Sequence, residues 1–311
     1  MFRRTPAVFA ASLAAAALAL GACAEKTTDT PSAGGSPSAA TFPVTVGSLT
    51  LEQRPEKIVS LSATATEMLF AIDAGPQVTA VDDQSNFPAD APKTDLSGYQ
   101  PNAEAIAAKD PDLVVLSDDR NKIVDQLTKL KIPVYQAPAA QTLDDSYRQL
   151  TELGTLTGNP DAAADVVQRM KDDITKIVAE VPQRAEAPTY FHELGPELYT
   201  ATSKTFIGSI YSLAGLENIA DAADADGKNG GYPQLSQEVI VDANPDFIFL
   251  SDVKCCQQSA ATVKARSGWG SLTAVQQDQI VELDDDVASR WGPRVVDLLR
   301  TIVDATAKVS P

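Results

Sequence analysis

A single histidine, His192, stands in the 311 residues. A site for a free zinc or manganese ion draws on several imidazoles, so one is too few. An enzyme using a histidine base would have to rely on His192 alone. Basic residues are also scarce: 25 Lys and Arg stand against 42 Asp and Glu, a formal net charge of −17. Nucleic-acid binding needs a basic face, and that class is excluded. The chain has no Gly-x-Ser-x-Gly elbow, no phosphate loop and no Gly-x-Gly-x-x-Gly fingerprint. The common signatures of nucleophilic and nucleotide-dependent enzymes are therefore missing. There are only two Trp and three Cys.

What is present is a globular composition, 44% hydrophobic, at a length that suits two domains of moderate size. The first 22 residues read as a secretory signal. Arg3 and Arg4 precede an apolar stretch from Val8 to Leu20, which is too short for a stable membrane span. Leu20-Gly21-Ala22-Cys23 resembles a bacterial lipobox, which predicts lipidation of Cys23. Residues 23–42 are rich in Ser, Thr, Pro, Gly and Ala without apolar periodicity, and read as a flexible tether. Cys255 and Cys256 are adjacent. They are candidates for a disulfide between neighbours in an exported protein, with two buried thiols as the alternative. A metal site there lacks partners.

From Arg54 onward the pattern is α/β. Ile58–Leu61, Val78–Val81, Leu113–Leu116 and Pro133–Tyr135 are short apolar strands between helical segments, as in a parallel sheet covered on both faces. Thr64 and Glu67 have the spacing of a capping box, with Gly75 as the stop of that helix. Residues 104–118 (EAIAAKDPDLVVLSD) and 238–252 (EVIVDANPDFIFLSD) form an internal repeat. Glu, Ile, Pro-Asp and Leu-Ser-Asp recur at the same offsets, with Asn102 and Ser236 placed as N-caps. The chain therefore divides into two related lobes, 43–158 and 183–311. Between them, 159–182 carries Val167, Met170, Ile174, Ile177 and Val181 on one helical stripe, with Pro160 at its start and Pro182 at its end. That predicts one long, stiff linking helix of about 33 Å.

IVSLSATATEMLFAIDAG, DDQSNFP, NAEAIAAKDPDLVVLS, TSKTFIGSIYSLAGLENI, YPQLSQEVIVDANPDFIFL and ASRWGPR together resemble the helical-backbone class of periplasmic binding proteins of ABC importers. The vitamin B12-binding and iron-siderophore-binding members match best. The resemblance implies two Rossmann-like lobes joined by one long backbone helix, with the ligand in the cleft between them. It implies a non-catalytic receptor with no resident cofactor, whose ligand is a metal chelate, either a corrinoid or a ferric siderophore. Glu104 and Glu238 match the rim carboxylates that dock onto the permease dimer. The receptor is expected to be a monomer, held at the outer face of the cytoplasmic membrane through its lipid only.

Ligands of open α/β sheets bind beyond the carboxyl ends of the strands. Candidate ligand residues are Phe87, Tyr99, Tyr232, Asp286, Arg290 and Trp291. Tyr99, Tyr232, Asp286 and Arg290 match positions used by B12-binding relatives. The aromatics offer flat area to a macrocycle or to catecholate rings. For an anionic siderophore, Arg120, Lys204, Arg266 and Arg290 are the available cations. Haem, the alternative ligand, would need an axial group such as His192 or a Tyr. A small-molecule-processing enzyme is the alternative from another class.

Overall fold

The computed structural model describes residues 41–307. The signal peptide, Cys23 and nearly all of the tether lie outside the described residues. The described residues open with an antiparallel hairpin, β1 (Val44–Val46) and β2 (Leu49–Leu51), which the sequence pattern does not mark. The first lobe follows: β3 (Ile58–Leu61), α1 (Ala63–Ala71), β4 (Val78–Val81), α2 (Ala103–Ala107), β5 (Leu113–Leu116), α3 (Ile123–Lys129), β6 (Val134–Gln136) and α4 (Leu143–Thr157). Then comes α5 (Pro160–Ala179). The second lobe has β7 (Thr189–Glu193), α6 (Phe206–Leu213), β8 (Glu217–Asn218), α7 (Gln237–Ala243), β9 (Phe247–Leu250), α8 (Val253–Cys256), α9 (Ala260–Lys264), α10 (Thr273–Gln276), β10 (Ile280–Glu282), α11 (Asp285–Ser289) and α12 (Val295–Thr306).

Both four-stranded sheets are wholly parallel and share one strand order, β4-β3-β5-β6 and β8-β7-β9-β10. The two copies of the sequence repeat are α2–β5 and α7–β9, equivalent units of the two sheets. Asn102 accepts from the amide of Ala105 at 2.9 Å, and Ser236 from that of Val239 at 3.3 Å. Alternating residues of each strand face opposite ways. Ile58, Leu113 and Val115 of the first sheet, with Tyr190, Phe247 and Phe249 of the second, enter one shared central core. Val59, Leu61, Val114 and Leu116 enter an outer core of the first lobe, and Phe191, Ile248 and Leu250 an outer core of the second.

Helix α5 lies in the central core. It buries Ala163, Val166, Met170, Ile174 and Ile177; of the predicted stripe, Val167 is only partly buried, Val166 taking its place, and Val181 lies past the end of the helix. Pro160 occupies its first turn and the helix ends before Pro182. A Cβ on Gly154 would sit 2.4 Å from that of Ala163, so this glycine lets α4 and α5 cross closely.

The start of α1 differs from expectation. Its N-cap is Ser62, whose hydroxyl accepts from the amide of Ala65 at 3.3 Å. Thr64 is inside the helix, so no capping box pairs it with Glu67. Gly75 does not stop the helix either: Ile72 is the C-cap, Asp73 takes the left-handed conformation, and Gly75 opens a separate 3-10 turn.

Candidate functional site

Two similar aromatic mounts flank the loops at the strand ends. Tyr99 is 68% exposed and follows Gly98. A Cβ on Gly98 would lie 2.5 Å from the carbonyl oxygen of Leu61 and 2.7 Å from Oδ2 of Asp82. Only glycine lets this segment press against the ends of β3 and β4. The Arg120 guanidinium lies 4.5 Å from the centre of the Tyr99 ring and pairs with Asp118 at 3.3 Å. In the second lobe Tyr232 is 43% exposed and follows Gly231 at φ +89°. There a Cβ would lie 2.6 Å from Cγ2 of Thr205. The Gly231 carbonyl accepts from Thr202, and its amide donates to Asp224 at 2.7 Å.

Asp286, Arg290 and Trp291 form a lobe-to-lobe clasp. Arg290 is buried, donating to Glu67 of α1 at 2.6 Å, to Asn86 at 3.0 Å, to the Gln84 carbonyl at 3.0 Å and to Asp286 at 2.8 Å. Arg294 donates to both oxygens of Glu67, at 2.8 and 2.5 Å. Asn86 donates to Asp286 at 3.0 Å, and Lys254 to Asp284 and Asp286 at 2.8 and 2.9 Å. Burial works to raise the Asp286 carboxyl, but Lys254, Arg290 and Asn86 bring it below its ordinary value. The Trp291 indole donates to Gln149 of α4 at 2.9 Å, and its carbonyl accepts from Ser146 at 2.5 Å.

The terminal guanidinium donors of Arg290 are thus spent on the first lobe and on Asp286, and the Trp291 indole is anchored to α4. Phe87 lies beside this clasp, 44% exposed under the Arg294 guanidinium, whose carbon is 4.3 Å from the ring centre. It lines a cavity of about 370 Å³ with Phe70, Pro88 and Pro293. Sequence reading missed Glu67 by assigning it to a cap. The available signal was an acid one residue before Met68 on an apolar helix, with two arginines four apart in the distant ASRWGPR segment.

The floor of the second lobe holds a second charged group. Glu193 at the end of β7 is fully buried and receives Arg266 at 2.6 and 2.5 Å. That commits Arg266 and removes it from the cations free to meet an anionic ligand. Asp252, just after β9, is also buried, and neither carboxylate oxygen has a hydrogen-bond partner among the described residues. Desolvation and the neighbouring Glu193 carboxylate push its pKa well above the ordinary 3.8. His192 is buried between the Tyr211 hydroxyl at 2.8 Å and Ser251 at 3.2 Å, and burial lowers its pKa to about 3. Both ring nitrogens are engaged, so His192 is not an available axial ligand.

Glu104 and Glu238 are exposed in the first turns of the equivalent helices α2 and α7, and neither has an ion-pair partner among the described residues. Cys255 and Cys256 are joined as a disulfide between neighbours.

The periplasmic binding protein family matches residues 58–287. This chain belongs to that family. As a periplasmic binding protein it is 32% identical over 280 residues to a cobalamin-binding protein of Halobacterium salinarum, covering 86% of this chain and 75% of that one. It is 28% identical to an uncharacterized ABC transporter substrate-binding lipoprotein, YvrC, of Bacillus subtilis, over 85% of each chain. Among solved structures, the vitamin B12-binding protein BtuF of Vibrio cholerae superposes with a TM-score of 0.66 at 26% identity, covering 81% of this chain and 97% of that one. A possible iron-binding solute-binding protein of Staphylococcus epidermidis gives a TM-score of 0.70 at 27% identity, covering 82% and 100%.

Proposed function

We propose that this periplasmic binding protein captures a metal chelate, a corrinoid of the vitamin B12 type, and delivers it to an ABC importer. The observation that carries the reading is the pair of glycine-mounted tyrosines, Tyr99 and Tyr232, one on each lobe of a binding-protein fold. A flat, large ligand gains from rigid aromatic area of this kind. The names of the cobalamin-binding and B12-binding relatives support the same ligand class. A ferric siderophore is the second reading. It is favoured by the Arg120 guanidinium lying over Tyr99, an exposed cation on the same platform. The protein acts by binding and release, without turnover. Glu104 and Glu238 dock onto a permease dimer, and Cys23 carries the lipid that holds the receptor at the outer face of the cytoplasmic membrane.

Calorimetric titration with cyanocobalamin, cobinamide, haem and a panel of ferric siderophores tests this. Micromolar or tighter binding of a corrinoid is expected, reduced at least tenfold in Tyr99→Ala/Tyr232→Ala. Binding of a siderophore alone would replace the first reading with the second, and heat from none of them would overturn both.

A further inference from the structure

We infer that the Cys255–Cys256 disulfide is a positioning element for the lobe-to-lobe clasp, acting through Asp285. The turn α8 contains only Val253–Cys256 and is followed by Gln257 in the left-handed conformation. So short a helix has little stability of its own. Yet three of its successive amides converge on one carboxylate: Val253 donates to Oδ1 of Asp285 at 3.0 Å, and Lys254 and Cys255 donate to Oδ2 at 2.9 and 3.0 Å. The Lys254 ammonium meanwhile bridges Asp284 and Asp286. Three consecutive acids repel one another, and this single turn supplies the amide donors and the ammonium that hold them. Asp286 then passes the constraint to Arg290 and Asn86, and Arg290 to Glu67 in the first lobe.

A disulfide between neighbouring residues closes a small ring that restricts the backbone of Cys255 and Cys256. The peptide inside that ring carries the Cys256 amide, which donates to the Asp252 carbonyl, so the ring holds the turn from which the Cys255 amide meets Asp285, while its outer end, with Cys255 itself, stands exposed. The Asp252 carbonyl closes the inner end by accepting from Cys256 and Gln258. A continuous polar path therefore runs from the disulfide to α1 of the opposite lobe. Opening the ring frees the turn, weakens the hold on Asp285 and loosens the 284–291 segment against the first lobe.

The ring can be opened on the folded chain. A dithiol such as dithiothreitol gives two electrons and two protons: its own sulfurs close into a cyclic disulfide while the Cys255–Cys256 bond becomes two thiols. The test compares hydrogen exchange of the oxidised and reduced full chain, with thiol titration to establish the state. Reduction is expected to speed exchange in 284–291 at least about tenfold while amides of α5 are unchanged. Asp285→Ala in the oxidised protein is expected to produce the same rise, with no further rise on reduction, because both act on one contact. Cys255→Ser/Cys256→Ser should match the reduced protein. Unchanged protection in 284–291 overturns the inference. So does a rise that extends equally to α5, which would make the disulfide a general stabiliser, or full additivity with Asp285→Ala. A parallel titration with cyanocobalamin rests on the corrinoid reading. Because the exchange arm needs no ligand, a failure of that reading leaves it standing.

Discussion

Glu67 and His192 set the strongest expectations at the scale of single residues. Glu67 is the shared acceptor of two arginines in a nearly dry site. Removing one partner of a buried ion network leaves the others charged and unpaired, which costs about 3–5 kcal/mol. Glu67→Gln is therefore expected to lower unfolding free energy by roughly that amount in urea titrations, with an unchanged m-value. His192 titrates at about 3 in the folded chain, against an ordinary 6.5. Between those values the unfolded chain binds a proton that the native one refuses, so this contribution is complete above 6.5 and is lost as pH falls. His192→Gln is expected to flatten the acid decline by up to about 1.4 kcal/mol per pH unit in that window. Asp252 works in the opposite sense. Its folded pKa is raised, so its contribution is lost as pH rises, and Asp252→Asn is expected to gain stability relative to the parent above the ordinary carboxylate range. Unfolding midpoints across pH for both variants check the two signs.

Among the elements, glycine positions govern how loops meet strand ends. The Cβ of alanine at 98 would drive into the Leu61 carbonyl, a backbone atom that cannot swing away. Gly98→Ala is expected to cost about 1–3 kcal/mol, whereas Gly270→Ala, with nothing within 4 Å, should be close to neutral. Thermal unfolding of the pair distinguishes a packing cost from a general intolerance of alanine. The caps Asn102 and Ser236 were readable locally because an N-cap is a contact between residues three apart. The start of α1 was misread because Ser62 and Thr64 are both good caps. The choice went to Ser62, which leaves Glu67 free to face Arg290 and Arg294.

For the whole molecule, the two sheets repeat one topology and place Glu104 and Glu238 in equivalent first turns. Under the docking proposal, Glu104→Lys/Glu238→Lys should cut transport by reconstituted importer at least tenfold, while calorimetric ligand affinity stays unchanged. Rim charges act on encounter and orientation more than on folding. Undiminished transport would remove these two residues from the docking surface.

Sequence alone determined what depends on near neighbours along the chain. Apolar strands, helix periods, the 104–118 and 238–252 repeat and the long helix between the lobes all follow from local pattern and covalent connectivity. Tertiary structure decided which polar groups are spent. Arg290 and Arg266 look alike as free cations in a string of letters, yet each is consumed by a glutamate, the first by one more than two hundred positions away and the second by one 73 positions away at the end of β7. Burial turned His192 from a candidate ligand into a neutral packing residue, because an imidazole held between two hydroxyls in a dry core cannot afford its proton.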